Sequence, residues 1–295
     1  MLAVLVAAMV LFYSFQSLFT RLYSANYEGP DAGQSTTIFS ICYGVFIGLA
    51  TLIVGGFQFA PSWQTVLFGV LNALMLALYN TSMIESGNRG PYSFLMICVM
   101  FGGLMIPLIT GVAFLGEVIT PIQWIAIALM LAAFVVMNAR GLSLKGASKG
   151  YYLWCFLLFL SNGLYAVVMN LQTTFMNGAE RTEMLSILFL TSALLAAVPK
   201  LIKGQGRELI EGFKMGKKAA LHLLICCASA TAAANLLMYI LTQMEASILY
   251  TIDNGGVLVL SVIYSLILFK ERPRWEQWIG IAMALISIVM LNLPV

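Results

Sequence analysis

The sequence predicts an all-α membrane protein of ten transmembrane helices, formed by two inverted five-helix repeats. Three observations predict it. First, 61% of the 295 residues are hydrophobic, only 9% are charged, and the mean hydropathy is +0.95, whereas a soluble domain carries roughly 25% charged residues. Second, apolar stretches of spanning length recur ten times with turn residues between them. Third, the second half repeats the landmarks of the first. A span needs about 20 apolar residues, so ten take roughly 200 and leave no room for a folded soluble domain. A net charge of +3, from 15 basic and 12 acidic residues, offers no basic face for phosphates and excludes a nucleic-acid partner.

The stretches run over 2–24, 34–56, 63–85, 91–115, 121–139, 151–175, 183–202, 218–243, 247–269 and 275–293. The first is longer than a signal-peptide core and lacks a basic start and a cleavage site, so it is read as a retained span. Glu28-Gly29-Pro30-Asp31 separates it from the second, and Gly55-Gly56 ends the second. Gly87-Asn88-Arg89-Gly90-Pro91 punctuates the third and fourth, and Thr120-Pro121 opens the fifth. Lys145-Gly146-Ala147-Ser148-Lys149-Gly150 leads to the sixth and Asn177-Gly178-Ala179-Glu180-Arg181 to the seventh. The basic stretch from Lys203 to Lys218 is the one long loop and reads as an amphipathic, solvated connection at the membrane surface. The eighth and ninth spans follow, and Arg272-Pro273-Arg274 opens the tenth.

The repeat is clearest late in each half. Glu117 to Asn138 and Glu271 to Asn292 share landmarks at equal spacing, Gln123-Trp124 answering Gln277-Trp278. The preceding helix aligns without a gap, setting Gly102 against Gly256 and Ser93 against Ser247; one helix earlier, Tyr79, Ser82 and Glu85 answer Tyr239, Thr242 and Glu245. The chain thus divides into a first repeat over 1–140, a linker over 141–150 and a second repeat over 151–295. Five helices per repeat is odd, so the second copy enters the membrane inverted, an architecture of secondary transporters. With these spans, fourteen of the fifteen basic residues lie on one side and only Arg181 on the other, which places both termini outside by the positive-inside rule.

Leu115-Gly116-Glu117 with Gln123-Trp124 and Asn138, and Phe269-Lys270-Glu271-Arg272-Pro273 with Gln277-Trp278, Gly280 and Asn292, resemble the helix-junction signature of the ten-helix EamA-type members of the drug/metabolite transporter superfamily. The resemblance implies a ten-helix basket in the cell (inner) membrane. Its two repeats would surround a central cavity lined by helices one, three, four, six, eight and nine, and it would export or exchange small metabolites or drugs. The first signature departs from the pattern in carrying Val118 where an arginine follows the glutamate. The resemblance also implies cytoplasmic termini, against the charge count, and the orientation stays open.

Ionisable groups inside a bilayer need a partner or a task. Asp253, two turns into the ninth span and followed by Asn254-Gly255-Gly256, is a candidate protonation site or partner for a cationic substrate. Its structural alternative is a polar residue bonded within the bundle. Candidate substrate-binding side chains are Gln16, Asn72, Tyr79, Asn80, Asn162, Tyr165, Asn235, Tyr239 and Asn254; taken singly, each reads better as interhelical glue, and as a set they read as a polar-lined path. Gly102, Gly103, Gly255 and Gly256 are candidate gating or packing positions. Glu117 and Glu271 at the junctions, and Glu85 and Glu245 at helix ends, are expected to cap the following helix or pair with a loop arginine. His222, the single histidine, is a weak candidate pH sensor.

The five cysteines lie inside apolar segments at no metal-ligand spacing and read as buried small hydrophobes. No cofactor and no metal are expected. Two motif matches carry nothing: Gly146-Ala147-Ser148-Lys149-Gly150 has no strand before it, and the sequon Asn80-Thr81-Ser82 sits within a span. The expected activity is therefore secondary-active transport, export or exchange, of a small organic metabolite or drug by alternating access, with protons as candidate coupling ion through Asp253. The partners would be that solute and the lipid bilayer, with no oligomeric state assigned. A non-transporting sensor or scaffold is the rival from another class. An intramembrane lipid-modifying enzyme ranks lower, because the sequence offers no clustered acid, base or metal set.

Overall fold

The computed structural model describes residues 1–29, 32–139, 148, 150–268, 270 and 274–291, all of them helical or in turns and connections. Of the residues singled out above, Pro30, Asp31, Lys145, Gly146, Ala147, Lys149, Phe269, Glu271, Arg272, Pro273 and Asn292 lie outside the described residues.

Eleven helices are described: α1 Leu2–Asn26, α2 Ala32–Val54, α3 Trp63–Gly87, α4 Tyr92–Phe114, α5 Pro121–Asn138, α6 Tyr151–Phe175, α7 Arg181–Ile202, α8 Gly206–Gly212, α9 Lys217–Ile240, α10 Ala246–Leu268 and α11 Trp275–Leu291. Nine are long and apolar enough to cross a membrane, and α11 is a shorter apolar helix. A helix thus appears at each of the ten expected stretches, in order and within a few residues of the expected ends. The long basic loop holds one further short helix, α8, between Gly204 and Gly216, whose positive φ values of 71° and 82° only glycine adopts readily.

The repeated Gln-Trp pair has a local cause. At α5, Gln123 N donates to Thr120 Oγ1 at 3.4 Å and Thr120 N donates to Gln123 Oε1 at 2.9 Å, a capping box that satisfies two orphan donors of the helix start. At α11, Arg274 N donates to Gln277 Oε1 at 2.8 Å, so the second glutamine does the same work. Trp124 and Trp278, one residue on, are about half exposed at their helix starts, the position of an interfacial aromatic belt.

The chain forms two compact units. One holds Ala3–Ala77 and Gln172–Thr242, and the other Leu78–Leu171 and Gln243–Val295, so each draws helices from both sequence halves. Inside the first unit, α2 lies against α7 through Gly44 and Gly48. A Cβ on Gly44 would sit 2.5 Å from Phe189 O, and one on Gly48 2.6 Å from Leu190 Cγ, the small-xxx-small spacing that lets helix backbones meet closely. Tyr23, Ile38, Met215, Ala219, Leu223 and Cys227 form its buried cluster.

Inside the second unit, α5 packs on α11, where Ser287 Oγ donates to Ala126 O at 2.6 Å and Gly280 lies against Met137. The glycines Gly102 of α4 and Gly163 of α6 face each other, a Cβ on Gly163 falling 2.5 Å from Gly102 O. The second helices of the two halves therefore pair with each other, as do the fifth helices. Helices in equivalent places in the two halves fill equivalent places in the pairing.

Candidate functional site

The second unit holds the candidate acid. α10 begins after the turn at 241–244, and its first amides have no acceptor within the helix. The Glu117 carboxylate supplies one: Oε1 accepts from Ala246 N at 3.0 Å and Oε2 accepts from Ser247 N at 3.2 Å. Ser247 Oγ also donates to Oε2, and Asn170 Nδ2 of α6 donates to Oε1 at 3.3 Å. An acid at a helix N-terminus also meets the positive end of the helix dipole. The expectation that Glu117 caps the following helix is thus corrected, because it caps α10. The reason is local: Thr120 and Gln123 already satisfy α5. Gly116, at φ 70°, also turns the chain so that Glu117 N returns to Gly111 O at 3.0 Å. Glu85, one of the acids expected at helix ends, pairs with a loop arginine, accepting from Arg89 Nε at 3.1 Å.

From that fixed start, two turns of α10 lead to Asp253. Tyr250 OH donates to Ala166 O of α6 at 3.1 Å and Asn254 Nδ2 donates to Tyr250 O at 2.7 Å. Across from them, Asn162 Nδ2 of α6 donates to Val99 O of α4 at 2.7 Å. Gly103 makes room for this amide, since a Cβ there would lie 2.7 Å from Asn162 Nδ2 and 3.8 Å from Asn254 Nδ2. Asn162, Asn254 and Gly103 are thereby brought together beside the helix that carries Asp253. Asp253 Oδ1 is shielded from solvent and has no hydrogen-bond partner among the described residues. Tyr165 is half-buried on α6, next to the carbonyl that Tyr250 uses.

The glycine positions differ in setting. Gly102 abuts Phe159 O, and Gly255 abuts Met130 of α5, so both are close-packing points, while Gly256 is half-buried. Pro107, inside α4, lies near the Thr110 hydroxyl, which donates to Ile106 O at 2.9 Å.

The first unit holds most of the other polar candidates. Gln16 Nε2 donates to Tyr43 OH at 2.9 Å. Asn235 Nδ2 donates to Thr231 O at 2.8 Å and reaches Thr51 Oγ1 at 3.5 Å. Tyr239 lies beneath the Arg181 guanidinium, 5.3 Å from ring centroid to Cζ, a cation–π contact. Asn72 is 0% exposed, and both its amide atoms lack partners among the described residues. His222 Nδ1 is likewise shielded and without a partner there, the ring lying 5.9 Å from that of Phe19. In the second unit, Tyr79 packs against the buried Leu95, Tyr151, Cys155 and Leu158 cluster, and Asn80 is half-buried. Most of these amides are thus engaged by helix carbonyls or neighbouring side chains, and Asn72 stands apart.

Glu180 went unnoticed as a functional or structural group in the sequence. It caps the entry to α3 from the α6–α7 turn, accepting from Ser62 N at 2.9 Å and Ser62 Oγ at 2.8 Å. Hydrogen bonding from Thr65 first of all holds its carboxyl below the usual carboxylate range, burial opposes it, and the Ser62 amide and hydroxyl add to the lowering. All five cysteines are free thiols. No group of three or more metal-ligating side chains occurs among the described residues.

Residues 149–293 match the model of the EamA-like transporter family. A solved structure titled "Crystal structure of protein" aligns over 99% of this chain and 96% of its own, with a TM-score of 0.72 and 15% identity; at that identity it speaks for the fold alone. No curated protein matches the chain. The described residues form an all-helical, multi-pass membrane protein, and its second half, residues 149–293, matches the EamA-like transporter family.

Proposed function

We propose that the protein is a secondary-active transporter, an exporter or exchanger of a small organic metabolite or drug, that works by alternating access in the cell's inner membrane and couples to protons through Asp253. The observation that carries the coupling is the shielded, partnerless Oδ1 of Asp253 on a helix of spanning length. Leaving a charged carboxylate unpaired inside a bilayer is costly, about 2.5–3.5 kcal/mol on insertion scales. Such a group therefore persists where a proton or a cationic solute is taken up and released. Asn162, Asn254 and Tyr165 beside it, and Asn72 in the first unit, supply hydrogen-bonding groups for a polar solute. Gln16, Asn235 and Tyr239 in the first unit and Tyr79 and Asn80 in the second are further proposed substrate-binding side chains. Gly102, Gly103, Gly255 and Gly256 are the proposed points at which helices slide or bend.

The test is solute uptake and counterflow in proteoliposomes against a broad metabolite and drug panel, with and without an imposed pH gradient, for wild type and Asp253→Asn. Gradient-driven accumulation that Asp253→Asn loses while keeping counterflow supports proton coupling at this residue. Equal gradient-driven transport by both proteins removes Asp253 from the coupling. Flux that ignores the gradient in wild type makes the protein a facilitator, and no flux of any solute by folded protein favours a sensor or scaffold.

A further inference from the structure

The segment that joins α7 to α9 is fixed on one side and unsatisfied on the other. Its inner side is held to the α1–α2 corner: Tyr27 OH donates to Gly212 O at 3.0 Å and Glu28 N donates to Met215 O at 3.2 Å. Leu209 packs on the buried Tyr23, Ile38 and Met215 cluster. Gly212 admits no side chain, since a Cβ would fall 2.9 Å from Ile38 Cγ1. The segment is therefore a docked element of defined orientation and not a loose tether.

Its outer side combines two features that water disfavours together. Ile202, Ile210 and Phe213 are 80%, 69% and 45% exposed, and beside them Lys203, Lys214, Lys217 and Lys218 are all exposed. Arg207 is engaged by Glu211 at 3.5 Å. The four lysines have no acidic partner among the described residues, and Glu208 is the one acidic side chain of the segment outside an ion pair. Exposed isoleucine and phenylalanine flanked by unpaired cations form the pattern of an interfacial segment that sinks its apolar side chains to the acyl boundary. The flanking helices α7 and α9 are both of spanning length, so their ends bring this element to the depth of the headgroups. Basic clusters next to spans attract anionic lipid.

We propose that α8 and its flanks form a docking surface for the anionic phospholipid headgroups of the leaflet it faces. Ile202, Ile210 and Phe213 enter the acyl boundary, while Lys203, Lys214, Lys217 and Lys218 meet lipid phosphates. Charge complementarity decides the occupant, because zwitterionic headgroups carry no net charge to answer the four lysines.

The experiment places a tryptophan at the contact, Phe213→Trp, in the full-length protein reconstituted in bilayers. It reads the fluorescence quenched by brominated phosphatidylglycerol against brominated phosphatidylcholine, after subtracting the parent protein's own tryptophans. A surface lysine is worth about 1 kcal/mol, or about fivefold per charge. The expected relative binding constant for phosphatidylglycerol over phosphatidylcholine is therefore at least about tenfold at low salt, falling as salt screens the charges. Adding Lys203→Gln, Lys214→Gln, Lys217→Gln and Lys218→Gln is expected to bring the preference below about twofold, and the four Lys→Arg changes are expected to keep it. Three results would overturn the proposal: equal quenching by the two lipids, loss of the preference in the arginine variant as well, or no quenching at residue 213 by either lipid. The last would mark the face as one for water or a soluble acidic partner.

Discussion

Replacing Glu117 by alanine leaves Ala246 N, Ser247 N, Ser247 Oγ and Asn170 Nδ2 without the acceptor they share. An orphaned buried donor costs about 1–3 kcal/mol. Ala246 and Ser247 are each 1% exposed, so water reaches their amides poorly, but Glu117 itself is partly exposed and some solvent follows its removal. Two strongly orphaned amides and two partly rescued donors give about 3 kcal/mol for opening the start of α10. That energy raises the population of the opened state about 100-fold or more. Glu117→Gln keeps one acceptor oxygen and loses the charge, for a cost of about 1–2 kcal/mol. Hydrogen–deuterium exchange of a peptide spanning the start of α10 reads this directly. The expected acceleration is about 100-fold for Glu117→Ala and about tenfold for Glu117→Gln, with the α2–α7 pair unchanged. Exchange in Glu117→Ala within about threefold of wild type would mean that the carboxylate does not hold the helix start, and the reasoning from orphaned donors would fail.

Three further outcomes follow from particular contacts. Gly44→Val places a side chain against Phe189 O and should cost about 1–3 kcal/mol in detergent unfolding; unchanged stability would show that α2 and α7 have room to part. Gly102→Ala meets the Phe159 carbonyl and should lower both stability and flux in reconstituted protein, whereas full flux with normal melting would remove close packing as its role. The carboxyl of Glu180 is held low by Thr65 and Ser62, so its folded value lies below the ordinary 4.5 of the unfolded chain. Its contribution is fully present above that ordinary value and is lost as pH falls through the lowered one. Wild type should therefore lose melting temperature over that acid interval more steeply than Glu180→Gln, and parallel curves would show that the hydrogen bonds do not survive in solution.

Hydropathy along the chain determined the number, order and near-exact ends of the spans, because a helix crossing lipid must satisfy its backbone within itself and needs only a local apolar run. The repeated Gln-Trp pair was visible as a landmark, but the purpose of Gln123 and Gln277 came from the structure, although such a cap bonds to residues only three positions away. The family signature around Glu117 was visible as well, but its partner was not, since Ala246 stands 129 positions away and nothing local marks α10 as the helix start that needs an acid. Tertiary structure alone decided which amides are engaged. Asn162, Asn235 and Asn254 turn to helix carbonyls, while Asn72 is buried with both amide atoms unmatched among the described residues. It alone gave the basic loop an inner and an outer face, by docking Leu209 and Gly212 and leaving Ile210 and Phe213 outside. Composition fixes the solvent a segment prefers, but whether a polar or apolar side chain finds a partner depends on residues far away in the chain.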